Sequence, residues 1–158
     1  MTIVAALMTP DGAWMGADSL ASDSELRVSS SSPKVAKFPN FLLGFAGSYG
    51  PGQAFFDAAK ANPRLSITKL VRSVKVSGSD WTLLAVDHSG VYEIDGGRGI
   101  LKMKKRSGCS YGVIGSGSGV ALGSLYAWHD GEEALLTALK ASAEHTNHAR
   151  GPFKIVAL

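Results

Sequence analysis

Apolar residues come in short runs separated by Gly, Pro, Asn, Asp and Ser, and the period of those runs changes along the chain. Ile3-Val4-Ala5-Ala6-Leu7-Met8 is continuously apolar, the pattern of a strand buried on both faces, and predicts a first strand over 2–8. Thr9-Pro10-Asp11-Gly12 is a turn by composition, and Ala13-Trp14-Met15-Gly16-Ala17 returns as a second strand, which together make a hairpin. Residues 19–32 are polar and serine-rich. By composition they are a linker; by their length in a compact domain they are equally a functional loop or a short irregular strand. Residues 33–38 alternate and 41–46 are apolar again, and both read as strands.

The period then becomes helical. Ala54, Phe55, Ala58 and Ala59 mark a helix over 53–61, closed by Asn62-Pro63. Ile67, Leu70, Val71 and Val74 stripe a second helix after Ser66. Strands over 80–86 and 91–94 flank Asp87-His88-Ser89-Gly90 as another hairpin, followed by a short strand over 100–104. A strand over 111–114 runs into Gly115-Ser116-Gly117-Ser118-Gly119. Helices carrying Val120, Ala121, Leu125 and Tyr126, and then spanning 132–145, lead to a last strand over 153–158. Like elements come in runs, which argues antiparallel sheets with segregated helices, an α+β fold, over alternating βαβ units.

Bulk properties narrow the class. A length of 158 residues fits one domain able to bury its own core. A net charge of +3 is too small to argue nucleic-acid binding. Cys109 is the only cysteine, so neither an intrachain disulfide nor a cysteine metal cage can form, and a cytoplasmic location is expected. The first residues lack a basic segment and include Asp11, so no signal peptide is expected. No apolar run reaches the ~18 residues of a membrane span. Lys102, Lys104, Lys105 and Arg106 read as a solvated edge that discourages strand-to-strand pairing.

Several chemistries fail on spacing. A dinucleotide fingerprint from Gly115 requires glycine where Val120 stands, and one from Gly117 requires it where Leu122 stands. Ser116 is flanked at two residues by Ile114 and Ser118, so it is not a nucleophile elbow; it is open to reading as a helix N-cap. The four histidines show no zinc spacing. The N-terminus offers more. If Met1 is removed, Thr2 carries a hydroxyl nucleophile and an amine base on one residue, held by the strand that follows. Asp18 ends the second strand, Lys34 opens an alternating one, and Gly44 interrupts an apolar one, a mark of a bulge or close backbone approach.

Together, Thr2, Asp18, Lys34, Gly44 in Gly44-Phe45-Ala46-Gly47, and Ser116 in Gly115-Ser116-Gly117 resemble the active-site set of the proteasome β-type N-terminal nucleophile hydrolases, the bacterial HslV peptidases among them. Sixteen residues separate Thr from Asp and Asp from Lys in that family; Thr2 to Asp18 and Asp18 to Lys34 repeat both steps. The resemblance covers essentially the whole chain. It implies a single-domain, four-layer αββα sandwich of two antiparallel sheets over 1–158, and a threonine endopeptidase that needs no cofactor. It gives each residue a role. Thr2 attacks, Lys34 lowers the pKa of its hydroxyl and amine, Asp18 keeps Lys34 charged, Gly44 N–H receives the oxyanion, and Ser116 aims the amine. Leu42 and Ala46 share the Gly44 face and are expected to line the specificity pocket. The partners implied are a peptide or unfolded-protein substrate, further copies of the chain in a ring, and an ATPase unfoldase. Where the family carries a supporting Asp and Ser near the C-terminal end, this sequence has Asn147 and Arg150, and the region between Gly50 and Asp80 is short for the family. An amidohydrolase or peptide ligase of the same fold, and a catalytically silent assembly subunit, are the alternatives.

Overall fold

The computed structural model describes residues 2–23, 26–29, 33–97, 99–146 and 149–158, with backbone alone over 20–23 and 26–29. β1 (Ile3–Thr9) and β2 (Gly12–Asp18) form the hairpin set by the Thr9–Gly12 turn. β1 also pairs with β10 (Ser110–Gly115), and β2 with β11 (Phe153–Ala157), giving an antiparallel sheet in the order β10-β1-β2-β11. A second antiparallel sheet runs β5-β6-β7-β8-β9, from β5 (Val35–Lys37) and β6 (Phe41–Gly47) through β7 (Trp81–Asp87) and β8 (Gly90–Asp95) to β9 (Gly99–Lys102). The serine-rich segment contains its own antiparallel pair, β3 (Leu20–Asp23) with β4 (Leu26–Ser29).

The continuous apolar run of β1 follows from its position between three layers. Ile3, Ala5 and Leu7 pack against α3 (Ser118–Ala127) and α4 (Gly131–His145), while Val4, Ala6 and Met8 pack between the two sheets. Residues Ile3 through Leu7 are 0% exposed. On the far side, α1 (Tyr49–Ala61) and α2 (Ile67–Ser73) cover the second sheet through Phe55, Phe56, Ala59, Ile67 and Leu70 against Phe45, Leu83 and Trp81. The layers are therefore helix, sheet, sheet, helix, the αββα sandwich expected.

α1 begins at Tyr49, four residues before its apolar stripe predicts. Pro51 is tolerated in the first turn because its missing N–H would have no helical partner there. Gly52 lets that turn settle onto the Phe45 ring, where any Cβ would collide. β9 is an exposed edge, and two members of the basic run are engaged with aromatic rings. Arg106 lies 3.7 Å above the Tyr126 ring and Lys102 lies 5.4 Å from the Tyr92 centroid. Among the described residues, no helix is long and apolar enough to cross a membrane.

Candidate active site

The site assembles where β1 begins. The β1–β2 register pairs Val4 with Ala17, which sets the next residue, Asp18, beside Ile3. Asp18 Oδ1 accepts the Ile3 N–H at 2.9 Å and the Lys34 ammonium at 3.0 Å. Both charged side chains are buried, Asp18 at 2% exposure and Lys34 at 8%. Lys34 arrives from the other sheet, immediately before β5, so this ion pair bridges the sheets under the start of β1. Burial pushes the Lys34 pKa below its ordinary 10.5, and the charge and hydrogen bond of Asp18 offset part of that shift. A buried ammonium without such a carboxylate would carry its full desolvation penalty.

On the other flank, β10 ends in a glycine turn. Thr2 O accepts the Ser116 N–H at 2.9 Å, and Ile3 pairs with Gly115. Gly115 has φ +92° and Gly117 φ +84°, conformations that favour glycine; a Cβ on Gly115 would collide with Thr2 O. Ser116 thus reaches Thr2 through its backbone, and its side chain is half-buried. It is not the helix cap, since Gly117 holds that position for α3. The Gly117 carbonyl accepts the Ser142 hydroxyl of α4 at 3.1 Å, and Ser142 is fully buried.

The third flank is the end of β6, where the expected oxyanion donor needs correction. Gly44 is buried between the sheets. A Cβ there would lie 2.6 Å from Val4 Cγ1, 2.9 Å from Met15 Sδ and 3.1 Å from Val35 Cγ1, so glycine is needed for packing. Its N–H is not directed at Thr2. Phe45 N–H donates to Lys34 O at 3.1 Å, on the β5 side, and N–H directions alternate along a strand. Gly44 therefore donates toward β7, into its pairing with Leu84. The same alternation sends the Gly47 N–H to the β5 side, past the last described pairing of that strand. Gly47 is exposed, with φ +96°.

Leu42 is corrected for the same reason. It shares the Gly44 face, but that face looks onto the other sheet, and Leu42 is 0% exposed in the inter-sheet core. Ala46 is also mostly buried there, though it reaches the rim: its Cβ is 3.3 Å from where a Gly115 Cβ would stand. Of the C-terminal positions, Arg150 is exposed and Asn147 lies outside the described residues. Among the described residues, no three His, Cys, Asp or Glu side chains cluster to hold a metal ion.

No protein-family model matches the sequence, and no curated protein matches it. Solved structures do. The BPH protein of Thiobacillus denitrificans in complex with epoxomicin aligns with a TM-score of 0.78 at 15% identity, over 99% of this chain and 97% of that one. Eukaryotic HslV from Trypanosoma brucei aligns with a TM-score of 0.77 at 17% identity, over 100% and 99%. A second BPH structure, from the same Thiobacillus, gives 0.73 at 15%, over 99% and 97%. The chain is thus built on the HslV-like N-terminal nucleophile hydrolase fold, with the strand that follows Thr2 at its centre.

Proposed function

We propose that this chain is a threonine-type peptidase whose nucleophile is Thr2, freed by removal of Met1. The observation that carries the reading is the buried Asp18–Lys34 pair tied to the amide of Ile3, the residue after Thr2. Such a pair is costly to bury, and here it sits against the one residue that can supply both a hydroxyl and an amine. In the proposed reaction, Thr2 Oγ forms a bond to the carbonyl carbon of the scissile peptide. Its proton passes to the Thr2 α-amine, directly or through water. The carbonyl oxygen takes the electron pair and is met by the Gly47 N–H. The tetrahedral species collapses with that proton delivered to the leaving amine, and water then hydrolyses the Thr2 ester. Lys34, kept charged by Asp18, favours the neutral amine and the developing alkoxide. Ser116 fixes the Thr2 carbonyl and with it the angle of the nucleophile. We extend the proposal to a homo-oligomeric ring acting on peptides or unfolded protein, fed by an ATPase unfoldase; light scattering of the purified protein reads the ring mass.

A peptide epoxyketone tests the core of the proposal, since its ketone takes a hydroxyl and its epoxide takes an amine. The expected result is a Met1-free intact mass, a covalent adduct on Thr2, and hydrolysis of a fluorogenic peptide. Adduct and hydrolysis should both vanish in a folded Thr2→Ala variant. Turnover that survives Thr2→Ala would refute the assignment. Arg150, standing in the C-terminal supporting region, favours the silent-subunit alternative; a Met1-free protein that takes no adduct would establish it.

A further inference from the structure

We propose that Ser48 and Asp80 form a clamp that positions the Gly47 N–H, and that they are positioning residues for turnover. This rests on the reading of Gly47 as oxyanion donor. Gly47 occupies a left-handed turn, and a Cβ on it would run into the Asp80 carbonyl oxygen. That carbonyl accepts the Ser48 N–H at 3.0 Å, and the Asp80 carboxylate accepts the Ser48 hydroxyl through Oδ2. One residue thus grips its neighbour by main chain and side chain at once.

The peptide unit carrying the Gly47 N–H lies between two fixed points. Upstream, Phe45 N–H is bound to Lys34 O. Downstream, the next peptide is bound to Asp80. Ala46 is itself paired with Thr82 in the β6–β7 ladder, so rotation about Gly47 is the freedom left to the donor, and the second tie from the Ser48 hydroxyl restrains its far side. A donor that is already aimed needs no reorganisation when charge develops on the carbonyl oxygen.

Helix capping does not account for this serine. Ser48 is the residue before α1, where a serine would ordinarily cap the helix, yet its side chain makes no capping hydrogen bond. Its hydroxyl turns to Asp80 instead. Asp80 stands at the entrance of β7, as the last residue of the 74–80 connection, and is not among the described core residues. The pair is exposed, so its loss should not unfold the protein.

The experiment compares Ser48→Ala, Asp80→Ala and Ser48→Thr with the parent protein for kcat and KM on a fluorogenic peptide. Amide hydrogen exchange at Ser48 is measured alongside. Removing an oxyanion donor outright costs about 10²–10³ in kcat, and loosening one should cost about tenfold. Ser48→Ala and Asp80→Ala should each lower kcat by about tenfold with KM within about twofold, and Ser48→Thr should restore most of it. Exchange at the Ser48 amide should quicken in both alanine variants. Unchanged kcat in an active protein overturns the clamp while leaving the peptidase reading intact, as does a loss confined to KM. A Met1-free parent that hydrolyses no peptide overturns the peptidase reading and the positioning role with it.

Discussion

Gly44→Ala separates the packing role of Gly44 from a catalytic one. The added Cβ would meet Val4 Cγ1 at 2.6 Å, Met15 Sδ at 2.9 Å and Val35 Cγ1 at 3.1 Å, on strands of both sheets. Ordinary carbon contacts lie near ~3.5–4.0 Å, so each neighbour must retreat by about 0.5–1 Å inside a closed core. Overpacking of this kind costs about 1–3 kcal/mol. Alanine recovers about 0.5–1 kcal/mol of that by restricting the unfolded chain. The net loss is about 0–2.5 kcal/mol and centres near about 1 kcal/mol, which for a domain of this size lowers Tm by about 2–4 °C. Circular dichroism melts give the Tm, and kcat is measured at 25 °C on the folded protein. The expected kcat is within about twofold of the parent, because the Gly44 N–H is committed to the β6–β7 ladder. An unchanged Tm with kcat down about a hundredfold would refute the reasoning and return Gly44 to the oxyanion role.

Two further outcomes follow from the flanks of Thr2. Lys34 is charged below its depressed pKa and neutral above it, so activity that needs the charge should fall with rising pH below 10.5, ahead of an ordinary lysine. Asp18→Asn removes the charge that raises the Lys34 pKa, and the alkaline limb of kcat/KM should move to still lower pH. The stability sign is the reverse: between the depressed pKa and 10.5 the unfolded chain binds more protons, so the Lys34 contribution to stability rises with pH. Ser142→Ala deletes the hydrogen bond to the Gly117 carbonyl, which should cost about 1–2 kcal/mol and quicken hydrogen exchange at the Ser116 amide bound to Thr2 O. Unchanged exchange there would show that the turn holds without α4.

The strand over 2–8 was legible because a strand covered on both faces has no polar positions to confuse its period. The Asp18 and Lys34 steps were legible through the resemblance; the β1–β2 hairpin accounts for Asp18 beside Ile3, while Lys34 arrives from the other sheet, beyond β3 and β4. The proposed oxyanion donor was not. Gly44 and Gly47 are three residues apart, so their N–H groups leave opposite edges of β6, and which edge is open depends on where β5 stops. That is a property of the neighbouring strand, with no trace in the local sequence. The error at Leu42 has the same origin. Alternation correctly put Leu42, Gly44 and Ala46 on one face, but only the stacking of the sheets shows that this face is the interior. The early start of α1 was hidden by Gly50-Pro51-Gly52, which reads as a turn until Phe45 is seen beneath it.

The pairing of β1 also dictates when the site can exist. β1 meets β2 within a short hairpin, but its other edge is filled by β10, on the order of a hundred residues later in the chain. β11, the last strand, completes the far edge of β2. A ribosome-bound chain that has just emitted Thr2 therefore has neither Ser116 to orient it nor a sheet to hold it. For Thr2, the nucleophile of the proposal above, the flanking turn and the completed sheet therefore come together only once β10 has been synthesised.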